Sequence, residues 1–133
     1  MTAIRFQLTW DTPHKTRLRL TAQSGWTWKD YHAVSQVAIY AMPPTPQQVV
    51  LVLDFSHVRQ DRFPSGIRAH ARTFGKRLSP AWMGVTVVIG LPLEQQQQLG
   101  LGAEGDFSTA DGVVYCVEDE AQAQMLFTRW VGT

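Results

Sequence analysis

Along residues 4 to 10, Ile4, Phe6, Leu8 and Trp10 alternate with Arg5, Gln7 and Thr9, the two-residue period of a strand with one buried face. Leu18 and Leu20 alternate with Arg17, Arg19 and Thr21 in the same way. The intervening DTPHKT carries the Asp and Pro of a turn, so the two runs predict an antiparallel hairpin. Thr27 followed three residues later by Asp30 offers a hydroxyl and a carboxylate to the free N–H groups of a helix start. The helix that follows places Trp28, Tyr31, Val34, Ala38 and Ala41 on one face and stops before Pro43. PPTPQQ then reads as a stiff connector. VVLVLDF, apolar and β-branched, predicts a central strand covered on both faces.

From Pro64 the spacing of Ile67, Ala71, Phe74 and Leu78 predicts a second helix, ended by Pro80. MGVTVVIG is a further buried strand, LEQQQQLGLG a short helix or turn running into a Gly-rich loop, and GVVYCV another strand. DEAQAQMLFTRW predicts a C-terminal helix burying Ala123, Leu126, Phe127 and Trp130. The order ββαβαβαβα predicts an α/β fold whose sheet is mixed but mostly parallel, with an antiparallel N-terminal hairpin. No repeat or long linker interrupts the pattern, so residues 1–133 read as a single domain.

Composition narrows the class. Hydrophobic residues make up 44% and charged residues 17%, the balance of a folded domain rather than a disordered or membrane-embedded chain. Twelve Lys and Arg against eleven Asp and Glu give a net charge of +1, which predicts no general attraction to nucleic acid. Cys116 is the only cysteine, so no internal disulfide can form, and a reducing cytoplasm is the expected location. No apolar run is long enough for a signal peptide core or a membrane span.

Five candidate chemistries follow. His14, His32, His57 and His70 lack the spacing that presents two ligands on one face, so surface histidines are expected and no metal or other cofactor is implied. GLGAEG, residues 100 to 105, fits the phosphate-cradling pattern but is preceded by a helical stretch and followed by a strand, the reverse of the required context. A surface loop is the expectation. Asp54, Ser56, His57 and Ser65 crowd the carboxyl end of a central strand, where open α/β sheets place ligands. No nucleophile elbow accompanies them, and Cys116 sits in an apolar strand where a thiol is inert. The expectation is a protein without catalysis, with a serine hydrolase as the third-ranked reading.

Charge supplies a further signal. Arg68, Arg72 and Lys76 recur every four residues away from Phe74, and Arg59, Arg62 and Arg77 lie close by. Six cations against one acid, Asp61, in residues 59 to 77 could meet an acidic protein surface, an anionic headgroup or a phosphate, or form a solvated face. The tryptophans 10, 26, 28, 82 and 130 lie beside apolar periodic positions, which predicts packing rather than a stacking platform.

The stretch VVLVLDFSHV followed by PSGIRAH resembles the central signature of the STAS, or SpoIIAA-like, domains of bacterial anti-sigma-factor antagonists. In that family a strand ending in Asp-hydrophobic-Ser is followed by Asp-Ser-Ser-Gly at a helix start. Asp54 and Ser56 match the former, and Ser65 and Gly66 match the last two residues of the latter. Phe63 and Pro64 stand where the family has Asp-Ser. The resemblance implies a regulatory, protein-binding module in which Ser65 is phosphorylated by an anti-sigma-factor-like kinase, the partner docking along the second helix. The stretch from Thr27 to Tyr31 and EDEAQAQMLFTRW are similar to the STAS/SEC14-like branch, which implies a small amphipathic or lipidic ligand instead. On either reading the expected site comprises Asp54, Ser56, His57, Arg62, Gly66, Arg68, Arg72 and Lys76, with Ser65 as a phosphorylation site or helix cap.

Overall fold

The computed structural model describes residues 4–12, 15–42, 49–74 and 81–129. The alternating N-terminal runs form β1 (Phe6–Trp10) and β2 (Arg17–Ala22), followed by α1 (Trp28–Ala41) and the apolar β3 (Val49–Asp54). Then come α2 (Ile67–His70), β4 (Trp82–Ile89), α3 (Leu93–Gln97), β5 (Asp106–Ser108), β6 (Val113–Val117) and α4 (Glu120–Phe127). The six strands lie in the order β1-β2-β3-β4-β6-β5. β1 runs antiparallel to β2, while β2, β3, β4 and β6 pair in parallel. This is a mixed α/β sheet with the expected opening hairpin.

Two expectations need correction. The expected order lacks one strand: just beyond the GLGAEG loop, Asp106–Ser108 pairs antiparallel with β6, giving the sheet a second antiparallel edge. Three residues are too few for hydrophobic alternation to register. The second helix, expected from Pro64 to Leu78, is one α-turn, Ile67–His70, continued by a 3-10 turn over Ala71–Thr73, and Phe74 is already extended at φ −66°, ψ 122°. Thr73 Oγ1 donates to the His70 carbonyl at 2.6 Å, a local bond that competes with helical continuation. Lys76, Leu78, Pro80, Trp130, His14 and the PPTPQQ connector lie outside the described residues.

The sheet divides the core in two. On the front, Leu18, Leu20, Leu51, Leu53, Val88, Val114 and Cys116 pack under Tyr31, Val34 and Ala38 of α1 and Ile67 of α2. On the back, Val50, Val52, Val85, Val87 and Ile89 meet Ala123 and Phe127 of α4. β3 is buried along its whole length because both layers need it. Thr27 and Asp30 form the expected capping box, the Thr27 side chain accepting from Asp30 N and the Asp30 side chain accepting from Thr27 N. Asp119 caps α4 by accepting from Gln122 N at 2.9 Å.

At the amino end of β4 the pairing with β3 slips between Val49 and Leu51. Gly84 lies at φ +87°, and a Cβ on Gly112 would come within 2.2 Å of the Gly84 carbonyl oxygen. The Trp82 indole donates to the Val85 carbonyl at 3.0 Å. A buried tryptophan thus satisfies a carbonyl beside the irregularity.

Candidate functional site

The carboxyl end of β3 holds three of the expected residues. Asp54 ends the strand on the back face, only 2% exposed. Its Oδ1 accepts from Ser56 N at 2.9 Å and Ser56 Oγ at 2.6 Å, and its Oδ2 accepts from Arg19 Nη1 at 2.8 Å. His57 Nε2 lies 3.5 Å from the same Oδ2 and is mostly exposed. The contacts run from Ser56 to Asp54 to His57, which differs from the Ser-to-His-to-Asp order of a nucleophile relay. Ser56 is also clamped from behind: Gly90, at φ +75°, leaves no room for a Cβ, which would meet Ser56 N and Cα at 2.9 Å.

Arg19, Asp11 and Glu120 were not singled out by sequence, yet they complete this cluster. Arg19 projects from β2 on the back face, donating to Asp11 through Nε and Nη2 and to Glu120 through Nη1 at 2.8 Å and Nη2 at 2.9 Å. Burial disfavours its charge, but hydrogen bonds and Coulomb attraction from Asp11 and Glu120 outweigh that cost and hold its pKa above the ordinary arginine value. The hydrogen bond from Arg19 in turn holds Glu120 below the usual carboxylate range. One guanidinium therefore ties β2, β3 and α4 together. By alternation Arg19 falls on the polar face of its strand, so the sequence carried no signal for this network.

Around the PSGIRAH stretch the structure corrects the cap. Gly66, at φ +99°, occupies the N-cap of α2, and no side chain caps it. Ser65 stands exposed before it, and its carbonyl accepts from the Trp28 indole at 2.7 Å. A left-handed residue is needed there, which favours glycine and moves the helix start one residue beyond Ser65. Arg62 lies apart from this point, lining a small cleft of about 110 Å³ with Arg59, Trp26, Val58, Ser24 and Gly25. Arg59 is engaged by Asp61, with Nη2 to Oδ2 at 2.9 Å.

Arg68 and Arg72 meet elsewhere. Both line a groove of about 490 Å³ between the α2 segment and the β5 edge. Ala71, Leu99 and Phe107 give it apolar surface, and Gln98, Ser108 and Thr109 give it polar groups. The groove exists because α2 stops after one turn while β5 adds a strand beyond β6. Phe107 and Leu99 pack at the margin of the front core, half covered.

Aromatic rings close the carboxyl end of the front layer. Trp26 stacks on Phe55 at 5.1 Å and meets Trp28 and Phe63 edge-on at 4.9 and 5.2 Å. Trp26, Trp28 and Trp82 are each under 9% exposed, so they pack rather than offer a stacking face. Burial pushes the Cys116 thiol up to about 12, as an inert cysteine requires. Among the described residues no helix is long and apolar enough to cross a membrane.

The expected site is thus divided among the β3 terminus, the Arg62 cleft, the Ser65–Gly66 turn and the Arg68–Arg72 groove. No family model, no curated protein and no solved structure matches the chain.

Proposed function

We propose that this domain binds a small amphipathic anion, a carboxylate or phosphate head on a short apolar body, without transforming it. One observation carries the reading: Arg68 and Arg72 line the same groove as Ala71, Leu99 and Phe107. A guanidinium pair suits an oxyanion by charge-assisted hydrogen bonds, and the apolar wall suits a hydrocarbon body. The polar side chains of Ser108 and Thr109 stand where a head group could accept or donate further bonds. The Asp54 cluster has a different character, since its carboxylates and guanidinium already engage one another.

The second reading is a docked protein partner gated by phosphorylation of Ser65, and the exposure of Ser65 immediately before α2 favours it. Arg68 then lies one turn beyond the added phosphate.

The deciding experiment is native mass spectrometry of the purified protein, followed by displacement of a fluorescent fatty-acid probe by dodecanoate. Wild type is expected to carry or take up one anionic ligand, and Arg68→Ala/Arg72→Ala to bind at least about tenfold more weakly. Binding that is absent from wild type, or unchanged in the double variant, overturns the reading. A partner captured by wild type and Ser65→Ala but lost with Ser65→Glu establishes the second.

A further inference from the structure

The groove beside α2 has a main-chain wall as well as side chains. β5 is the last strand of the sheet, so only one of its edges is paired, with β6. Thr109 N donates to the Gly112 carbonyl and Cys116 N to the Gly105 carbonyl, both at 2.8 Å. In an antiparallel ladder the residues whose main-chain groups face the partner strand alternate. Gly105, Phe107 and Thr109 therefore turn toward β6, while Asp106 and Ser108 turn outward. The outward Asp106 carbonyl is taken by Gly102 N at 2.8 Å. Ser108 presents both an N–H and a C=O outward, without a partner among the described residues. It lines the same groove as Arg68 and Arg72.

We infer that the groove takes an N-acyl α-amino acid, whose amide N–H and carboxylate pair with the outward main chain of Ser108 while its acyl chain lies on Ala71, Leu99 and Phe107. The inference rests on the reading of this groove as a site for an amphipathic anion. Two residues that face each other across an antiparallel edge exchange two hydrogen bonds, each giving its N–H to the other's C=O. An N-acyl α-amino acid carries the same pair of groups on one α-carbon, with a carboxylate oxygen in place of the C=O. Its N–H donates to the Ser108 carbonyl, and one carboxylate oxygen accepts from Ser108 N. The remaining carboxylate lone pairs are available to Arg68 and Arg72.

Charge and edge length narrow the class. A plain fatty acid leaves the Ser108 carbonyl unpaired, and a free amino acid brings an ammonium beside two guanidiniums. Acylation removes that cation and supplies the apolar body. A long peptide gains little, because Gly102 occupies the Asp106 carbonyl at one end of the edge and the turn from Thr109 to Gly112 closes the other. The open edge is one residue long.

The test is isothermal titration of the whole chain with N-dodecanoylglycine, N-dodecanoylsarcosine, N-dodecanoyl-β-alanine and dodecanoate, each below its micellar concentration. The glycine derivative is expected to bind at least about fivefold more tightly than the sarcosine derivative, which has N–CH3 in place of N–H. The same margin is expected over the β-alanine derivative, whose carboxylate is one carbon out of register. Ser108→Pro removes the outward N–H, a change that an edge position accepts. It should weaken N-dodecanoylglycine at least about fivefold relative to Ser108→Ala, which keeps the main chain. Should Ser108→Pro lower the Tm, the ligand series on wild type decides alone. Equal binding of the glycine and sarcosine derivatives overturns the inference, and dodecanoate binding that weakens in Arg68→Ala/Arg72→Ala then leaves the anion site standing. Failure of every ligand to bind overturns both. An N-acetylated tripeptide with a free glycine carboxylate that binds more tightly than N-dodecanoylglycine overturns the acyl chain.

Discussion

The guanidinium of Arg19 on β2 donates to the carboxylate of Asp54 on β3 over 2.8 Å, and the Asp54 side chain is only 3% exposed. Removing the cation strands a buried anion, which costs about 3 kcal/mol or more. Arg19→Met is therefore expected to lower the midpoint of urea unfolding sharply. Arg19→Met/Asp54→Asn should recover part of that loss, and a double-mutant cycle checks the coupling. Additive losses would place the stabilisation elsewhere.

Glu120 makes the same network sensitive to acid. Its carboxyl sits below the ordinary range because Arg19 bonds to it, so the stability it contributes is complete above the unfolded carboxylate pKa. It fades as pH falls through the lower folded value. Stability measured from pH 7 downward should decline less steeply in Glu120→Gln than in wild type, with the curves converging in strong acid.

The turn at Ser65 gives a paired comparison. Thr27→Ala removes a capping box and should cost about 1 kcal/mol. Ser65→Ala removes no cap and should stay within about 0.5 kcal/mol of wild type. Trp28→Phe, which leaves the Ser65 carbonyl without its indole donor, should cost about 1 kcal/mol or more. Chemical denaturation of the three variants decides among them.

Gly90→Ala combines a left-handed backbone with a Cβ 2.9 Å from Ser56 backbone atoms. It is expected to destabilise the domain by about 2 kcal/mol and to shift the Ser56 and His57 resonances in NMR spectra. Gly100→Ala has open space around its Cβ and carries only the conformational cost of φ +62°, so it should perturb neither loop.

Much of this architecture was legible from hydrophobic period alone. The hairpin, α1 with its capping box, β3, β4, β6 and α4 all follow from runs of several residues with one clear periodicity. The parts that escaped are short or non-local. β5 spans three residues, and α2 passes after one turn into a 3-10 turn that closes with the bond from Thr73 to the His70 carbonyl. Arg19 meets Asp11 across the β1–β2 hairpin, Asp54 because parallel pairing sets β2 beside β3, and Glu120 because α4 crosses behind them, and only the first of these is local in sequence. His32 and His70 meet for a similar reason, as neighbours on two helices rather than on one. The basic stripe was visible, but the groove it lines depends on the unexpected edge strand.

The back of the sheet is closed in two different ways. Behind β4 and β6, Ala123 and Phe127 of α4 supply a dry contact, whereas behind β2 closure comes from charges gathered on Arg19. Arg17, lying over the Phe127 ring at 4.3 Å, marks the border between the two regimes. Oily contacts barely respond to protons, while pairs that depend on ionised carboxylates are lost as those groups are protonated. The molecule thus has a side whose grip is set by its solvent and a side whose grip is not. In acid, amide protection relative to the intrinsic exchange rate should fall first in the β1–β2 hairpin while β4 and β6 remain protected, so loosening would begin at one edge and travel inward.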